Sequence, residues 1–174
     1  QKHYVEQING STFQVAASSF FQVNTHQAEQ LAALVAKHLE LTGIELVVDA
    51  YAGVGTFAIL ASHLARKVIA IEESSSAVQD ARAGLDGIHN VELLQARTEE
   101  GLTQLEESPH AVILDPPRSG CHLRALEALN HLKPRRIVYV SCDPQTQARD
   151  LHVLCSGPFQ LKSVQPVDMF PQTH

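Results

Sequence analysis

The feature that most constrains this chain is a regular alternation of short apolar runs with longer amphipathic segments. The apolar runs occupy residues 46–50, 68–71, 91–94, 111–114, 137–140 and 161–167. The amphipathic segments lie between them, at residues 56–65, 75–86, 98–105, 122–132 and 144–155. Because strands that are apolar on both faces need helices over both faces, the pattern predicts a mostly parallel sheet. Right-handed crossovers then give a doubly wound, Rossmann-like α/β fold.

A different pattern precedes this alternation. Residues 3–8 and 11–16 alternate in polarity around Asn9-Gly10, a dipeptide typical of a tight hairpin turn. From Asn24, which with Gln27 resembles a capping box, apolar residues recur at helical spacing and predict a helix ending near Gly43. We therefore predict that residues 1–18 form a hairpin belonging to a preceding region and that residues 19–174 form one domain.

Composition narrows the class of protein. Of 174 residues, 44% are hydrophobic and 18% charged, which favours one folded domain, and the net charge of -6 gives no basic field toward nucleic acid. The three cysteines form no CxxC pair and the ten histidines no ligand set, so we predict no disulfide, no metal and a cytoplasmic location. No apolar run approaches about 20 residues, and no signal-peptide layout is present, so we expect no membrane partner.

A glycine turn follows the first apolar run. Gly53 and Gly55 would let the backbone approach a ligand closely at the amino terminus of a helix. Glu72 follows Gly55 by seventeen residues, at the end of the next strand, where a carboxylate can bind both hydroxyls of a ribose. The alternatives are a tight turn without a ligand and, for Glu72, a solvated strand end.

Asp49 decides which adenosine-bearing cofactor this turn suits. The turn fits the loose G-x-G-x-x-A pattern of dinucleotide sites, so NAD is one candidate. Asp49, four residues before Gly53, would repel a pyrophosphate but suits the ammonium group of a methionine moiety. The residues therefore favour S-adenosylmethionine over NAD.

The fourth run leads into Asp115-Pro116-Pro117-Arg118. Two prolines hold Asp115 extended at the carboxyl end of its strand, the edge where open α/β sheets bind ligands. Enzymes that methylate exocyclic amino groups of bases place an aromatic residue after a similar Asp-Pro-Pro. Here the position is Arg118, so amine methylation is disfavoured.

The fifth run delivers Cys142 to the same edge. Pro144 suits the first position of a helix, so Cys142 would lie at a helix amino terminus, where the dipole favours a thiolate, and Arg149 could add positive charge. The alternative is a small residue that ends a strand; Cys121 and Cys155 are read as structural. A thiolate that adds to carbon 6 of a pyrimidine makes carbon 5 nucleophilic toward a methyl donor, and a general base must later remove the carbon 5 proton.

Together these segments resemble the catalytic domain of the 5-methyluridine RNA methyltransferase family, from Phe13 to His174. The resemblance rests on residues 19–24, residues 49–57, Glu72, residues 115–120, residues 140–144 with Thr146, residues 148–151, and residues 168–174. It implies S-adenosylmethionine as cofactor, S-adenosylhomocysteine as product, and transfer RNA or large-subunit ribosomal RNA, not DNA, as partner. It also implies cofactor contacts from Gln22, Tyr51, Glu72 and Asp115, and Cys142 as nucleophile. With the residues above, the predicted site comprises Gln22, Asp49, Tyr51, Gly53, Gly55, Glu72 and Asp115 for cofactor, Arg118 and Arg149 for substrate, and Cys142 for catalysis.

The sequence departs from this family in two respects. The family's general base is a glutamate a few residues beyond the position of His174, so we expect it there, together with a final strand, and expect this chain to be truncated. Asp143 stands where many relatives have asparagine, which adds a charge that would oppose thiolate formation at Cys142. The family's RNA-binding barrel, in some members with an iron–sulfur cluster, would precede these residues and would carry the basic surface that the composition lacks.

Three other functions compete with this interpretation. RNA 5-methylcytosine methyltransferases place a cysteine at the position of Arg118 and usually Thr-Cys at Ser141-Cys142, so the sequence points away from them. An NAD-dependent oxidoreductase and a non-catalytic cofactor-binding module are the others.

Overall fold

The computed structural model describes residues 3–8, 11–16 and 25–169. At its amino end, β1 (His3–Ile8) pairs antiparallel with β2 (Ser11–Ala16), with His3 opposite Ala16. The predicted hairpin strands are therefore confirmed, while the Asn9-Gly10 turn and the helix cap at Asn24 lie outside the described residues.

Five further strands alternate with helices along the chain. The strands are β3 (Leu46–Ala50), β4 (Lys67–Glu72), β5 (Val91–Gln95), β6 (Ala111–Leu114) and β7 (Arg136–Tyr139). The helices are α1 (Thr25–Leu39), α2 (Thr56–Ser62), α3 (Ser75–Gly84), α4 (Thr98–Thr103), α5 (Leu123–Leu132) and α6 (Pro144–Cys155). Among the described residues, no helix is both long enough and apolar enough to cross a lipid bilayer.

The five strands form one parallel sheet in the order β5-β4-β3-β6-β7. The chain reverses its direction of travel across the sheet between β3 and β6, which places a crevice at their carboxyl ends. All five residues of β3 are buried, as a central strand covered on both faces requires. The predicted doubly wound α/β fold is confirmed.

Helices pack over both faces of the sheet. On one face, Val48 and Ala50 of β3 contact an apolar cluster that includes Leu102, Leu126 and Leu154 of α4, α5 and α6. On the other face, Val47 packs with a cluster that includes Val35, Leu39, Ala58 and Ala61 of α1 and α2. Alternate strand residues thus anchor opposite layers, which fixes the position of every loop at the carboxyl edge.

The sixth predicted strand, at residues 161–167, is wrong. Residues 159–168 have no regular secondary structure, and Leu161 and Val164 are 54% and 68% exposed. The segment is apolar only at Leu161, Val164 and Val167, which are three residues apart, and Pro166 has no N–H to give to a strand partner. Most other boundaries shift by a few residues: α2 ends at Ser62 rather than residue 65, for example, and β7 spans Arg136–Tyr139 rather than residues 137–140.

Candidate functional site

The turn after β3 has a strained backbone. Tyr51 has a φ of 64°, followed by Gly53 at 56° and Gly55 at 83°, the last forming the cap of α2. A residue with a Cβ loses roughly 1–2 kcal/mol in this left-handed region, and such strain concentrates at functional sites. The Tyr51 hydroxyl accepts a hydrogen bond from the N–H of His122 at 3.2 Å, which holds the tyrosine across to the loop before α5.

The two glycines of this turn have different surroundings. A Cβ on Gly55 would lie 3.4 Å from the Cβ of Ala81, because α2 and α3 pack closely there. A Cβ on Gly53 would meet nothing within 4 Å. Gly53 therefore faces open space at the carboxyl edge, where a ligand could approach the backbone, as the sequence predicts.

Glu72 ties the end of β4 to the glycine turn. Its Oε2 accepts the N–H of Gly53 at 2.8 Å, and its Oε1 accepts the N–H of Ser74 at 2.7 Å. The side chain is half-buried, and each carboxylate oxygen keeps a lone pair for a further donor. Glu72 is thus positioned to orient the turn and to receive a hydroxyl group.

Asp49 is a fully buried carboxylate without a hydrogen-bond partner. It is 0% exposed, and neither Oδ1 nor Oδ2 has a partner among the described residues. Burial, with the nearby charges of Asp115 and Glu72, raises the pKa of Asp49 well above its ordinary value. The N–H of Ala58 opposes this rise but falls short of hydrogen-bond geometry. A buried carboxylate of this kind needs a cationic partner to be stable when ionised.

Asp115 supplies a second carboxylate to the same crevice. In the register of β3 with β6, Asp49 lies opposite Ile113, so Asp115 follows two residues further along the neighbouring strand. Burial raises the pKa of Asp115 to about 6. The carboxylates of Asp49, Glu72 and Asp115 therefore make this edge of the sheet an acidic crevice that suits a cationic ligand.

Cys142 follows the adjacent strand and is exposed. The N–H of Val140 donates to the carbonyl of Leu114 at 2.7 Å, so the pairing of β6 with β7 continues to the point where both loops begin. The hydroxyl of Ser141 accepts the N–H of Asp143 at 3.1 Å and donates to its carbonyl at 2.9 Å, which closes the turn around Cys142. Cys142 thus stands immediately before α6, whose predicted bounds are confirmed.

Asp143 is the cap of α6, a role that the sequence analysis did not assign. Its Oδ1 accepts the N–H groups of Gln145 and Thr146 at 2.9 and 3.1 Å. These hydrogen bonds, with a smaller contribution from the charge of Arg118, lower the pKa of Asp143 below its ordinary value. The negative charge of Asp143, which stands where many relatives have asparagine, is therefore stabilised by the amino terminus of α6.

The two arginines predicted to contact substrate, Arg118 and Arg149, are both exposed. Arg149 donates from Nε and Nη2 to Oδ1 of Asp150, at 2.8 and 2.6 Å, and from Nη2 to the carbonyl of Ser119 at 2.9 Å. The sequence analysis missed Asp150, although an acidic residue four positions before the buried Leu154 was a signal for a buried charge on the inner face of α6.

The predicted cofactor contact Gln22 lies outside the described residues, as do residues 170–174 of the final matched segment. The described structure brings the remaining predicted residues to one edge of the sheet, at the ends of four strands or on the loops that follow them. These residues are Asp49, Tyr51, Gly53, Gly55, Glu72, Asp115, Arg118 and Cys142, and Arg149 lies in the helix that follows.

This fold matches that of a solved methyltransferase. The structure of a Pyrococcus abyssi tRNA (uracil-54, C5)-methyltransferase in complex with S-adenosyl-L-homocysteine superimposes with a TM-score of 0.77 and 33% identity, over 88% of this chain and 38% of that one. The fold is therefore the Rossmann-like α/β fold of methyltransferases.

The chain belongs to the family described as conserved hypothetical protein 95, which matches residues 24–155. A protein of Thermosynechococcus vestitus named as an uncharacterized RNA methyltransferase is 46% identical over 171 residues, which cover 97% of this chain and 38% of that protein. A protein of the same description from Oceanobacillus iheyensis is 39% identical over 179 residues, covering 100% of this chain and 39% of that protein. The chain thus spans about two fifths of the length of these relatives.

Proposed function

We propose that the protein containing this chain is an S-adenosylmethionine-dependent RNA methyltransferase that methylates carbon 5 of a uridine. The observation that carries the proposal is that the buried Asp49 carboxylate, which has no hydrogen-bond partner, and the exposed Cys142 thiol lie at the same edge of one sheet. The carboxylate suits a positively charged methyl donor, and the thiol suits a nucleophile. The relatives' names and the Pyrococcus abyssi structure support RNA as the substrate class and S-adenosylmethionine as the cofactor.

The residues of the crevice fit this cofactor in three respects. Asp49 and Asp115 offer carboxylates to an ammonium group, and ionisation of either becomes favourable when that positive charge enters. Gly53 leaves open space beside a free helix amino terminus. Glu72 keeps acceptor capacity for ribose hydroxyls after its two backbone hydrogen bonds. A dinucleotide fits less well, because its pyrophosphate would meet these carboxylates.

When bound, the cofactor supplies an electrophilic methyl group. The Cys142 thiolate attacks carbon 6 of the uracil, the new S–C6 bond forms, and the electron pair of the C5–C6 double bond moves into an enolate. Carbon 5 would then take the methyl group as the S–CH3 bond of the donor breaks, which would leave S-adenosylhomocysteine as the product. A general base removes the proton from carbon 5, the double bond re-forms, and the S–C6 bond breaks to release the thiolate. We propose a glutamate beyond His174 for this base, on the resemblance alone.

The described part of the chain provides the chemistry rather than RNA selection. The net charge is -6, so affinity for the phosphate backbone would come from other parts of the protein. A uridine must leave its stack to reach Cys142, and Arg118 is exposed on the neighbouring loop to contact it. We propose transfer RNA or large-subunit ribosomal RNA as the substrate.

The decisive experiment uses RNA that contains 5-fluorouridine. Fluorine replaces the proton that the base must remove, so the protein stays bonded to the RNA after methyl transfer. We expect the full-length protein, in the presence of S-adenosylmethionine, to form a methylated adduct that survives denaturing electrophoresis. Transcripts of transfer RNA and of large-subunit ribosomal RNA, assayed separately, identify the substrate.

The chain offers a matched control, because Cys142 and Cys155 are both exposed. Cys142→Ala should abolish the adduct, whereas Cys155→Ala should retain it. An adduct that persists in Cys142→Ala would contradict the mechanism. A melting temperature raised by NAD and not by S-adenosylmethionine would favour an oxidoreductase instead.

A further inference from the structure

A buried charge outside the acidic crevice plays no part in the chemistry described above. Asp150 of α6 is 0% exposed, and both of its carboxylate oxygens are used. Oδ1 accepts the two Arg149 hydrogen bonds, while Oδ2 accepts the N–H of Cys121 at 2.6 Å and the hydroxyl of Tyr139 at 2.7 Å. One carboxylate therefore joins β7, α6 and the loop that follows Asp115.

The loop of residues 117–121 packs tightly against the Asp150 carboxylate. Gly120 has a φ of 78°, and a Cβ added there would collide with Nη2 of Arg149 and lie 2.6 Å from Oδ2 of Asp150. The N–H of Gly120 donates to the carbonyl of Pro117 at 2.8 Å, which tightens the same turn. The backbone of residues 117–121 is therefore shaped to lie against Asp150.

Two hydrogen bonds extend the connection along α6. The Arg149 guanidinium reaches the carbonyl of Ser119, and the Thr146 hydroxyl donates to the carbonyl of Arg118 at 3.0 Å. Thr146 also donates its backbone N–H to Asp143, the residue that follows Cys142. The loop that carries Asp115 and Arg118 is thus attached to the helix that begins beside Cys142.

We propose that Asp150, with Arg149 and Tyr139, forms a latch that sets the position of the Asp115 loop relative to Cys142. In this role the three side chains are positioning residues, and Arg149 acts through Asp150 and Ser119. The inference rests on the proposed function, because it concerns the geometry in which Cys142 meets the uridine held by that loop. A displacement of about 1 Å in such a geometry can reduce a reaction rate about a hundredfold.

Three substitutions weaken the latch by different means. Asp150→Asn leaves an amide that can satisfy either Arg149 or the Cys121 and Tyr139 donors, but not both sets. Tyr139→Phe removes one hydrogen-bond donor and leaves the Asp150 carboxylate paired with Arg149. We therefore expect this variant to fold more readily than Asp150→Asn. Arg149→Lys keeps the charge and loses the paired hydrogen bonds. Matched controls are Glu107→Gln and Arg66→Lys, because Arg66 Nη2 donates to both Glu107 oxygens at 2.9 and 3.1 Å, and these residues precede β6 and β4 at the opposite edge of the sheet.

The test measures three quantities in the full-length protein. They are the rate of adduct formation with 5-fluorouridine RNA, the dissociation constant for S-adenosylmethionine, and the noncovalent RNA affinity in a Cys142→Ala background. We expect each latch substitution to slow adduct formation by about tenfold or more, while both affinities stay within about twofold. Asp150→Asn and Arg149→Lys together should slow the reaction no more than the stronger of the two alone, because they break one unit.

Three results would overturn the latch. They are unchanged adduct rates in all three variants, additive effects of the two ion-pair substitutions, and RNA binding weakened tenfold by Arg149→Lys alone, which would make Arg149 a substrate contact. Hydrogen exchange separates this inference from the proposed function. Amides of residues 118–122 should exchange faster in Asp150→Asn than in Glu107→Gln. If the wild-type protein binds S-adenosylmethionine but forms no adduct, the proposed function fails, and unchanged exchange in Asp150→Asn would overturn the latch as well.

Discussion

The backbone N–H of Gly53 donates to Oε2 of Glu72 at 2.8 Å, which joins the turn after β3 to the end of β4. The other oxygen of Glu72 accepts the N–H of Ser74, so one side chain orders both loops at this edge. The residue predicted to bind a ribose therefore also shapes the turn that would hold the rest of the cofactor.

Replacing Glu72 by glutamine should weaken both functions. An amide presents a donor to one of the two backbone N–H groups, so one hydrogen bond to a charged acceptor is lost. We expect the dissociation constant for S-adenosylmethionine to rise about tenfold and the free energy of unfolding to fall by about 1 kcal/mol. Calorimetry and urea unfolding measure the two effects. Glu73→Gln, at a neighbouring side chain that is 71% exposed, should change neither, and equal effects of the two variants would contradict the assignment.

The open space at Gly53 can be tested against a glycine of similar backbone conformation elsewhere. Gly53 and Gly87 have φ values of 56° and 78°, and a Cβ on either would meet nothing within 4 Å. Alanine at each position should cost about 1–2 kcal/mol in the free energy of unfolding, because both backbones are left-handed. Only Gly53→Ala should also impair cofactor binding, by about tenfold or more. Unimpaired binding in Gly53→Ala would show that the cofactor does not approach this turn.

The raised pKa of Asp115 predicts how cofactor affinity depends on pH. Burial raises this pKa from 3.8 to about 6, so within that interval the folded protein holds a proton that the unfolded chain has lost. The stability of the ligand-free protein due to this group therefore falls as pH rises through the interval. A cationic ligand favours the ionised carboxylate, so affinity should increase with pH up to about 6, with release of a proton.

Calorimetry in buffers of different ionisation enthalpy counts the proton released on binding. In Asp115→Asn, the contribution of Asp115 should be lost, so fewer protons should be released on binding near pH 6 and the rise in affinity there should shrink. A pH profile that is the same in wild type and Asp115→Asn would show that Asp115 does not face the cofactor's charge.

The ionisation of Glu45 should make the free energy of unfolding, but not the cofactor affinity, depend on pH. Its Oε2 accepts the N–H groups of Thr42, Gly43 and Ile44, and its Oε1 accepts the Thr42 hydroxyl at 2.7 Å. These bonds lower the pKa of Glu45 from 4.5 to about 2, so their stabilisation is fully present above pH 4.5 and is lost as pH falls through about 2. Glu45→Gln should therefore be less stable than wild type at neutral pH, and this difference should shrink on acidification.

Urea unfolding at a series of pH values measures that difference. Cofactor affinity should not change in Glu45→Gln, because Glu45 precedes β3 at the edge of the sheet opposite the crevice. A stability difference that is constant with pH would contradict the contribution of the ionised carboxylate.

The fold could be predicted from the sequence because its signals are local. Four of the five residues at 46–50 and all of residues 111–114 are apolar, and both runs are buried strands with the predicted bounds. Pro144 marked the first residue of α6 correctly. The prediction at residues 161–167 failed because scattered apolar residues without a buried face do not distinguish a strand from an irregular segment.

The sequence could predict only those residues of the site whose location follows from the end of a strand. Because parallel strands end at one edge, Asp49, Asp115 and Cys142 could be placed together from their positions after apolar runs. The latch could not, since the contact between Asp150 and Cys121 joins residues twenty-nine positions apart. Such a contact depends on how α6 packs against the sheet, which no local pattern specifies.

The turn around Cys142 is closed by its neighbours rather than by the thiol itself. Ser141 and Asp143 bond to each other on either side of it, and no hydrogen bond to the Cys142 side chain is found within residues 25–169. The hydrogen bonds that shape this loop therefore do not depend on the thiol. We expect the loop to keep its conformation when another small side chain replaces Cys142. Under the proposed function, a serine or alanine variant at Cys142 is therefore expected to keep its fold, lose the methylation activity and form a complex with unmodified RNA that can be isolated.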